Sequence, residues 1–429
     1  MEENVITNEE IHIQNTDEKK SNKKQIYLIV FCWISYIIAY LGRYGFSANI
    51  NLIIDEYGVT KSQVGLVTAF FFFAYGIGQI VNGIFSKKYN KRIIVPISLF
   101  VSAILNICIF IGIPFEYFKF LWLINGFVQA ILWPTMIEIL SKNLNQSKLK
   151  TAIIFMSTAT PVGTLLVYGS SALLVSLNTY KTIFILAFVV MIITGIIWFF
   201  LFNKCTNKNI QTDVEQIQIQ PKIEKHDKKS GILIIFISIM AIFAIFDNFI
   251  KDGLTTWMPV ILKDIYSLAD NASILLTIIL PVLGTFGALL AIFLNRYIKN
   301  YSLLTAFFYA ISFILLTISV FVVRSNAIWI VLIILLGLTV LNMHSVNNIV
   351  TSMVPLFMRD KINSGFLAGL LNGFCYLGST ISSYGLGKIV DTTNNWNYVL
   401  YLLILGTIIC SAIGLIHFIA EKIKNKKMQ

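Results

Sequence analysis

The chain has 429 residues, 57% hydrophobic and 13% charged, with a mean hydropathy of +0.77. A soluble domain carries roughly 45–50% apolar and about 25% charged residues, so this composition excludes an ordinary soluble fold and indicates a polytopic membrane protein. The net charge of +12 is read as basic residues gathered in cytoplasmic loops, with no nucleic-acid partner expected.

Residues 1–25 are polar, rich in Asn, Glu and Lys, and lack apolar periodicity. They are expected to form a disordered cytoplasmic tail and not a cleavable signal. Twelve apolar stretches follow, each of about 20 residues or more and so able to cross ~30 Å of hydrocarbon. They lie near 26–53, 62–84, 93–113, 118–141, 151–174, 182–203, 231–260, 271–294, 302–322, 327–351, 362–387 and 398–420, and are predicted as helices 1 to 12. Pro134, Pro161 and Pro281 fall inside them, as membrane helices tolerate. Trp122, Trp329 and Trp396 stand near helix ends and are expected in the interfacial belts.

The stretch 204–230 is the long polar segment between helices. It divides the chain into an N-terminal six-helix bundle over 26–203 and a C-terminal one over 231–420, followed by a tail at 421–429. Of the 33 Lys and Arg, Lys61, Lys119, Lys181, Lys263, Arg324 and Lys388 fall on the side opposite the linker, and Arg43 and Lys251 within the membrane. The remainder share the side of the linker and termini. That bias places the linker and both termini in the cytoplasm of a multi-pass cell-membrane protein, its lipid partner being the bilayer.

Arg43 is the one charge in the first apolar run. A guanidinium in hydrocarbon is costly, so it is expected to face a protein interior or a wet cavity. Tyr36, Tyr40 and Arg43 are spaced i, i+4 and i+7 and share one helix face. That face offers two phenol hydroxyls and a planar fork of donors matched to a phosphate or carboxylate. Helix 7 repeats the pattern: Lys251-Asp252-Gly253-Leu254-Thr255 aligns with Arg43-Tyr44-Gly45-Phe46-Ser47 at an offset of 208 residues. Two related halves, each with one cation inside the membrane, suggest a transporter of a small anion.

Asp247 lies one turn before Lys251 on the same face. It either neutralises Lys251 as a structural partner or competes with substrate for it, and it is a candidate for coupling. Asp252 is expected to point elsewhere, near the edge of the cavity. Glu138, toward the cytoplasmic end of helix 4, is read as a gate or interface residue. His344, beside Asn342, Asn347 and Asn348 in helix 10, must face the bundle interior, for an interhelical hydrogen bond or a substrate contact. The five cysteines and four histidines show no disulfide or metal spacing. No Gly-x-x-x-x-Gly-Lys-Ser/Thr run is present, so neither an enzyme nor a cofactor is expected.

The loop after helix 2 reads Gly83-Ile84-Phe85-Ser86-Lys87-Lys88-Tyr89-Asn90-Lys91-Arg92. It resembles the signature of the major facilitator superfamily, with Lys87 where the acid normally sits, so the usual ion-pair gate is not expected there. Within that superfamily the chain resembles the organophosphate:phosphate antiporters, which include the glycerol-3-phosphate and hexose-phosphate transporters. The resemblance rests on Tyr36, Tyr40, Arg43, Phe46 and Ser47 in helix 1, Ala74-Tyr75-Gly76 in helix 2, and Gly126, Gln129, Trp133 and Pro134 in helix 4. Helix 11 adds Gly365, Ala368-Gly369 and Tyr376-Leu377-Gly378.

The resemblance implies an all-α fold of twelve transmembrane helices in two pseudo-symmetric six-helix bundles around a central cavity, acting as a monomer. It implies Arg43 and Lys251 as phosphate ligands and Tyr36, Tyr40, Tyr75 and Tyr376 as lining groups. The chain departs from the glycerol-phosphate type at Lys251 (Arg there), Gln79 (Lys), Thr160 (His) and Asn248 (Tyr). The expected function is exchange of a phosphorylated metabolite for inorganic phosphate by alternating access. Proton- or cation-coupled symport of organic carboxylates, and a transporter-like sensor of sugar phosphate, are the alternatives.

Overall fold

The computed structural model describes residues 8–85, 88–177, 179–206, 230–325 and 327–428. Most of the linker, and Lys87 in the loop after helix 2, lie outside the described residues. Among the described residues the secondary structure is helical, without strands. Eleven helices are long and apolar enough to cross a membrane. Helix 11, Ser364–Thr393, is 30 residues long and completes the set of twelve. Its Gly, Ser and Asn content lowers its hydropathy, and it lies along helix 2 (Lys61–Phe85) and helix 7 (Ser230–Tyr266).

Helix 1 runs from Asn8 to Ala48, so the segment expected as a disordered tail is helical from Asn8. Its Glu, Gln and Lys residues are good helix formers, and they extend a helix already nucleated in the membrane, which adds a hydrogen bond per residue without a new nucleus. Helix 12 likewise continues to Met428 through the expected tail. Helix 1 breaks at Asn49 and resumes as Ile50–Tyr57. The Asn49 side chain donates to the Gly45 carbonyl (2.8 Å) and to Ser171 Oγ (3.2 Å), pinning the break to helix 5. Gly58 ends the extension in the left-handed conformation, φ 60°, which suits a residue without Cβ.

Prolines set the other breaks. Helix 4 divides into Phe118–Gln129 and Leu132–Asn143. Pro134 has no N–H for the Ala130 carbonyl, and Gln79 Nε2 from helix 2 donates to that carbonyl instead, at 3.2 Å. Helix 8 divides into Asp270–Thr277, Ile279–Gly284 and Gly287–Leu294, its first break lying one turn before Pro281. Helix 10, Trp329–Asn348, widens into a π-helical turn over Ile349–Met353 ahead of Pro355.

The halves are tied together at the end away from the linker. Asn51 Nδ2 donates to the Pro259 carbonyl (3.1 Å), and Lys263 Nζ meets Asp55 Oδ2 (2.7 Å). Lys61 pairs with Asp264 at 3.2 Å. The Asp391 carboxylate at the end of helix 11 accepts from the backbone N–H of Lys61 (3.0 Å) and Ser62 (2.7 Å), where a helix N-terminus favours negative charge. Asn51 and Pro259, and Asp55 and Lys263, are each separated by 208 residues, the offset that relates Arg43 to Lys251. Equivalent positions of the two halves therefore face one another across the pseudo-twofold axis. Nearby, Gly65 lets helix 2 close on helix 11; a Cβ there would strike the Ser383 carbonyl oxygen.

Candidate functional site

Helix 1 is held against helices 3 and 4 by buried amides. The Gly42 carbonyl accepts from Asn125 Nδ2 (2.8 Å) and Asn106 Nδ2 (3.2 Å), fixing the backbone beside Arg43. Gln129 Nε2 donates to Ser102 Oγ (2.8 Å) and Asn125 Oδ1 (3.1 Å), which leaves Gln129 Oε1 to accept from Arg43 Nε at 3.2 Å. The guanidinium carbon lies 4.5 Å from the Tyr75 ring centroid, 4.8 Å from Tyr40 and 5.5 Å from Phe71. Arg43 is 6% exposed, and its Nη2 is buried without a hydrogen-bond partner. Cation–π contacts return about 0.5–2 kcal/mol each, but they supply no counter-charge. The buried guanidinium is thus held by amides and rings, with part of its donor fork unbonded.

The other tyrosines assemble around it. Tyr36 meets Tyr40 edge-on at 5.5 Å and Trp133 at 5.0 Å. The Tyr40 hydroxyl bonds Thr160 Oγ1 at 2.8 Å, so Thr160 faces the cluster from helix 5. Tyr75 and Tyr376 approach to 4.7 Å, joining helix 2 to helix 11 across the two bundles.

On helix 7, Lys251 is 9% exposed and lies within electrostatic range of Tyr40. Its Nζ is 3.9 Å from Asp247 Oδ2 and 4.0 Å from Asp252 Oδ1. Both separations are ion pairs too long for direct hydrogen bonds. Asp247 is fully buried; its Oδ2 accepts from Asn347 Nδ2 at 2.9 Å, while Oδ1 has no partner. Asp252 points toward helix 11, away from the face that Asp247 and Lys251 share. Successive helix residues diverge by about 100°, so its carboxylate faces helix 11 and accepts from Ser379 Oγ. The long stem of Lys251 still carries the ammonium to its second oxygen. Asn248 Nδ2 donates to the same Ser379 Oγ at 2.9 Å.

Arg43, Tyr36, Tyr40, Tyr75 and Tyr376 thus form one cluster, with Lys251 and Asp247 on the facing helix. Glu138 is not among them. It bridges Lys91 (2.9 Å) and Lys142 (2.8 Å) at the linker end of the N-terminal bundle. His344 packs at the second break of helix 8, where a Cβ on Gly287 would lie 2.7 Å from its own Cβ. Trp122 and Trp396 are buried rather than interfacial: Trp122 packs on Phe46 (5.1 Å) and Trp396 Nε1 donates to Asp264 (2.9 Å). Sequence reading missed the roles of Gln129, Asp252 and Ser379. For Gln129 the signal was a polar amide in an apolar run that also carries the helix 4 motif. Among the described residues no group of three His, Cys, Asp or Glu is placed to hold a metal.

Residues 32–351 match the family model described as the Major Facilitator Superfamily. The chain belongs to this superfamily. It is a multi-pass membrane transporter, not an enzyme. A probable hexose phosphate transport protein of Chlamydia pneumoniae is 21% identical over 436 residues, covering 96% of this chain and 94% of that protein. The glycerol-3-phosphate transporter of Bacillus subtilis is 33% identical over 132 residues, covering 29% of each chain. Among solved structures, a D-xylose-proton symporter superimposes with a TM-score of 0.73 at 13% identity, covering 91% of this chain and 97% of that one. That likeness is one of fold.

Proposed function

We propose that the protein is a secondary transporter of a small phosphorylated organic anion, which it exchanges for inorganic phosphate by alternating access. The observation that carries this reading is Arg43, buried without a carboxylate partner among the described residues and with Nη2 unbonded. Lys251 stands at the equivalent position of the other half, so an anion between them touches both bundles at once. Its charge draws the bundles together and lowers the barrier to exposing the site on the opposite side. Tyr36, Tyr40, Tyr75 and Tyr376 line the space with apolar faces and hydroxyl tips suited to a polyhydroxylated body. Two relatives, a probable hexose phosphate transport protein and a glycerol-3-phosphate transporter, support a phosphoryl group as the anion. The carboxylates beside Lys251 favour a second reading, proton-coupled symport of organic carboxylates.

A thermal-shift screen of the purified protein separates the two. Phosphate, glycerol phosphate and hexose phosphates are expected to raise the melting temperature by several degrees at 100 times their Kd, a stabilisation of about 2.7 kcal/mol. Hexuronates are expected to leave it unchanged; a shift with hexuronates alone contradicts the phosphate assignment. From the Lys and Arg bias we read the termini and linker of this membrane protein as cytoplasmic. A topology reporter inserted after Thr212 is expected to read as cytoplasmic, and an external signal overturns that orientation.

A further inference from the structure

The two cations of the candidate site come with two carboxylates. Arg43 and Lys251 carry two positive charges, and Asp247 and Asp252 carry two negative ones when ionised. With all four charged, the site is balanced before any cargo arrives. A monoanion that enters leaves it one charge negative in a low-dielectric interior, where an uncompensated charge is costly. The geometry points to the group that relieves this.

Asp247 lies at the rear of the site. It is fully buried, and its Oδ2 is fixed by Asn347. Asp252 lies between the bundles. Its side chain is 14% exposed, one oxygen is bonded by Ser379 of helix 11, and the other is 4.0 Å from Lys251 Nζ. The charged and titratable groups that face Asp252 are Lys251 and Asp247 on helix 7, Cys375 and Tyr376 on helix 11, and Tyr44 on helix 1. Lys251 is the cation among them. An anion that binds Lys251 therefore draws the ammonium away from Asp252 and sets a like charge beside the carboxyl.

Resting on the anion-transport reading above, we infer that Asp252 takes up one proton with each anion and releases it on the opposite side. Protonated, the carboxyl turns from repelling the cargo to donating a hydrogen bond toward it, while Ser379 still bonds its other oxygen. The loaded site is then neutral with a monoanion. When the anion leaves, the Lys251 ammonium faces Asp252 again and the proton departs. The balance holds: one anion and one proton enter, and the same two leave. Because the empty site is also neutral, the empty carrier can reorient. Net uptake driven by a proton gradient thus accompanies exchange for phosphate.

The test uses the full chain in proteoliposomes containing a trapped fluorescent pH indicator, with inorganic phosphate or glucose 6-phosphate added outside. Wild-type protein is expected to acidify the interior as anion enters, with net uptake rising as the external pH falls. In Asp252→Asn the acidification per anion is expected to fall by the proton that Asp252 carries, leaving what the second dissociation of the anion itself releases, with anion entry still measurable. If wild-type entry brings no acidification, the inference is overturned. It is equally overturned if Asp252→Asn acidifies as wild type does, since the proton then rides on the phosphate itself. Loss of labelled anion entry in the wild type would instead contradict the transport reading, and a labelled-anion assay run in parallel keeps the two failures apart.

Discussion

Arg43→Lys is expected to lower anion exchange by about 100-fold while the protein still folds. Lysine keeps the charge but loses the planar fork. It also loses the Nε bond to Gln129 and the guanidinium contacts with the Tyr40 and Tyr75 rings. A hydrogen bond to a charged group contributes about 1.5–3 kcal/mol, and each 1.4 kcal/mol is a factor of about ten. Loss of a two-pronged contact therefore accounts for roughly two decades. The folding cost is small by comparison, because Arg43 has no ion pair among the described residues and the ammonium retains a cation–π contact. Uptake of labelled anion and the melting temperature of the mutant check both parts. Near-normal exchange would place Arg43 outside the binding site.

Lys251→Ala is expected to be the more damaging change, because it strikes folding and transport together. It leaves Asp247 and Asp252 in the interior without their cation. Removing one partner of a buried ion pair costs about 3–5 kcal/mol, a large part of the stability of a typical domain. The double mutant Lys251→Ala/Asp247→Asn separates the two effects. It removes the deeply buried charge together with its partner and is expected to recover much of the lost stability, read by thermal unfolding in detergent. Exchange is not expected to return, since the second half of the anion site is still missing. If Lys251→Ala alone exchanges at the normal rate, Arg43 binds the anion unaided.

The architecture was legible because a membrane imposes it. Stretches of about 20 apolar residues, the polar break at 204–230 and the uneven Lys and Arg define twelve crossings in two sixes, and the structure follows them closely through the hydrophobic core. The ends were not legible: residues 8–25 and 421–428 carry no apolar signal, yet they continue helices nucleated elsewhere. The Arg43 face was readable from helical spacing, since Tyr36, Tyr40 and Arg43 share it by geometry. Asp252 was not. A helical wheel turns it away from Lys251, and only the reach of the lysine stem and the position of Ser379 on helix 11 bring the pair together. Gln79 and Gln129 illustrate the same limit. Their partners, a carbonyl freed by Pro134 and the Arg43 guanidinium, lie on other helices, and spacing within one helix cannot reveal them.

The central claim is that an anion binds between Arg43 and Lys251 and is exchanged across the membrane. Its most direct test is counter-transport in proteoliposomes loaded with unlabelled inorganic phosphate, with labelled glucose 6-phosphate outside. Wild-type protein is predicted to accumulate label faster than in vesicles without internal phosphate, and Arg43→Lys to show about one hundredth of that rate. Equal accumulation by wild type and Arg43→Lys, or wild-type uptake indifferent to internal phosphate, would contradict the account.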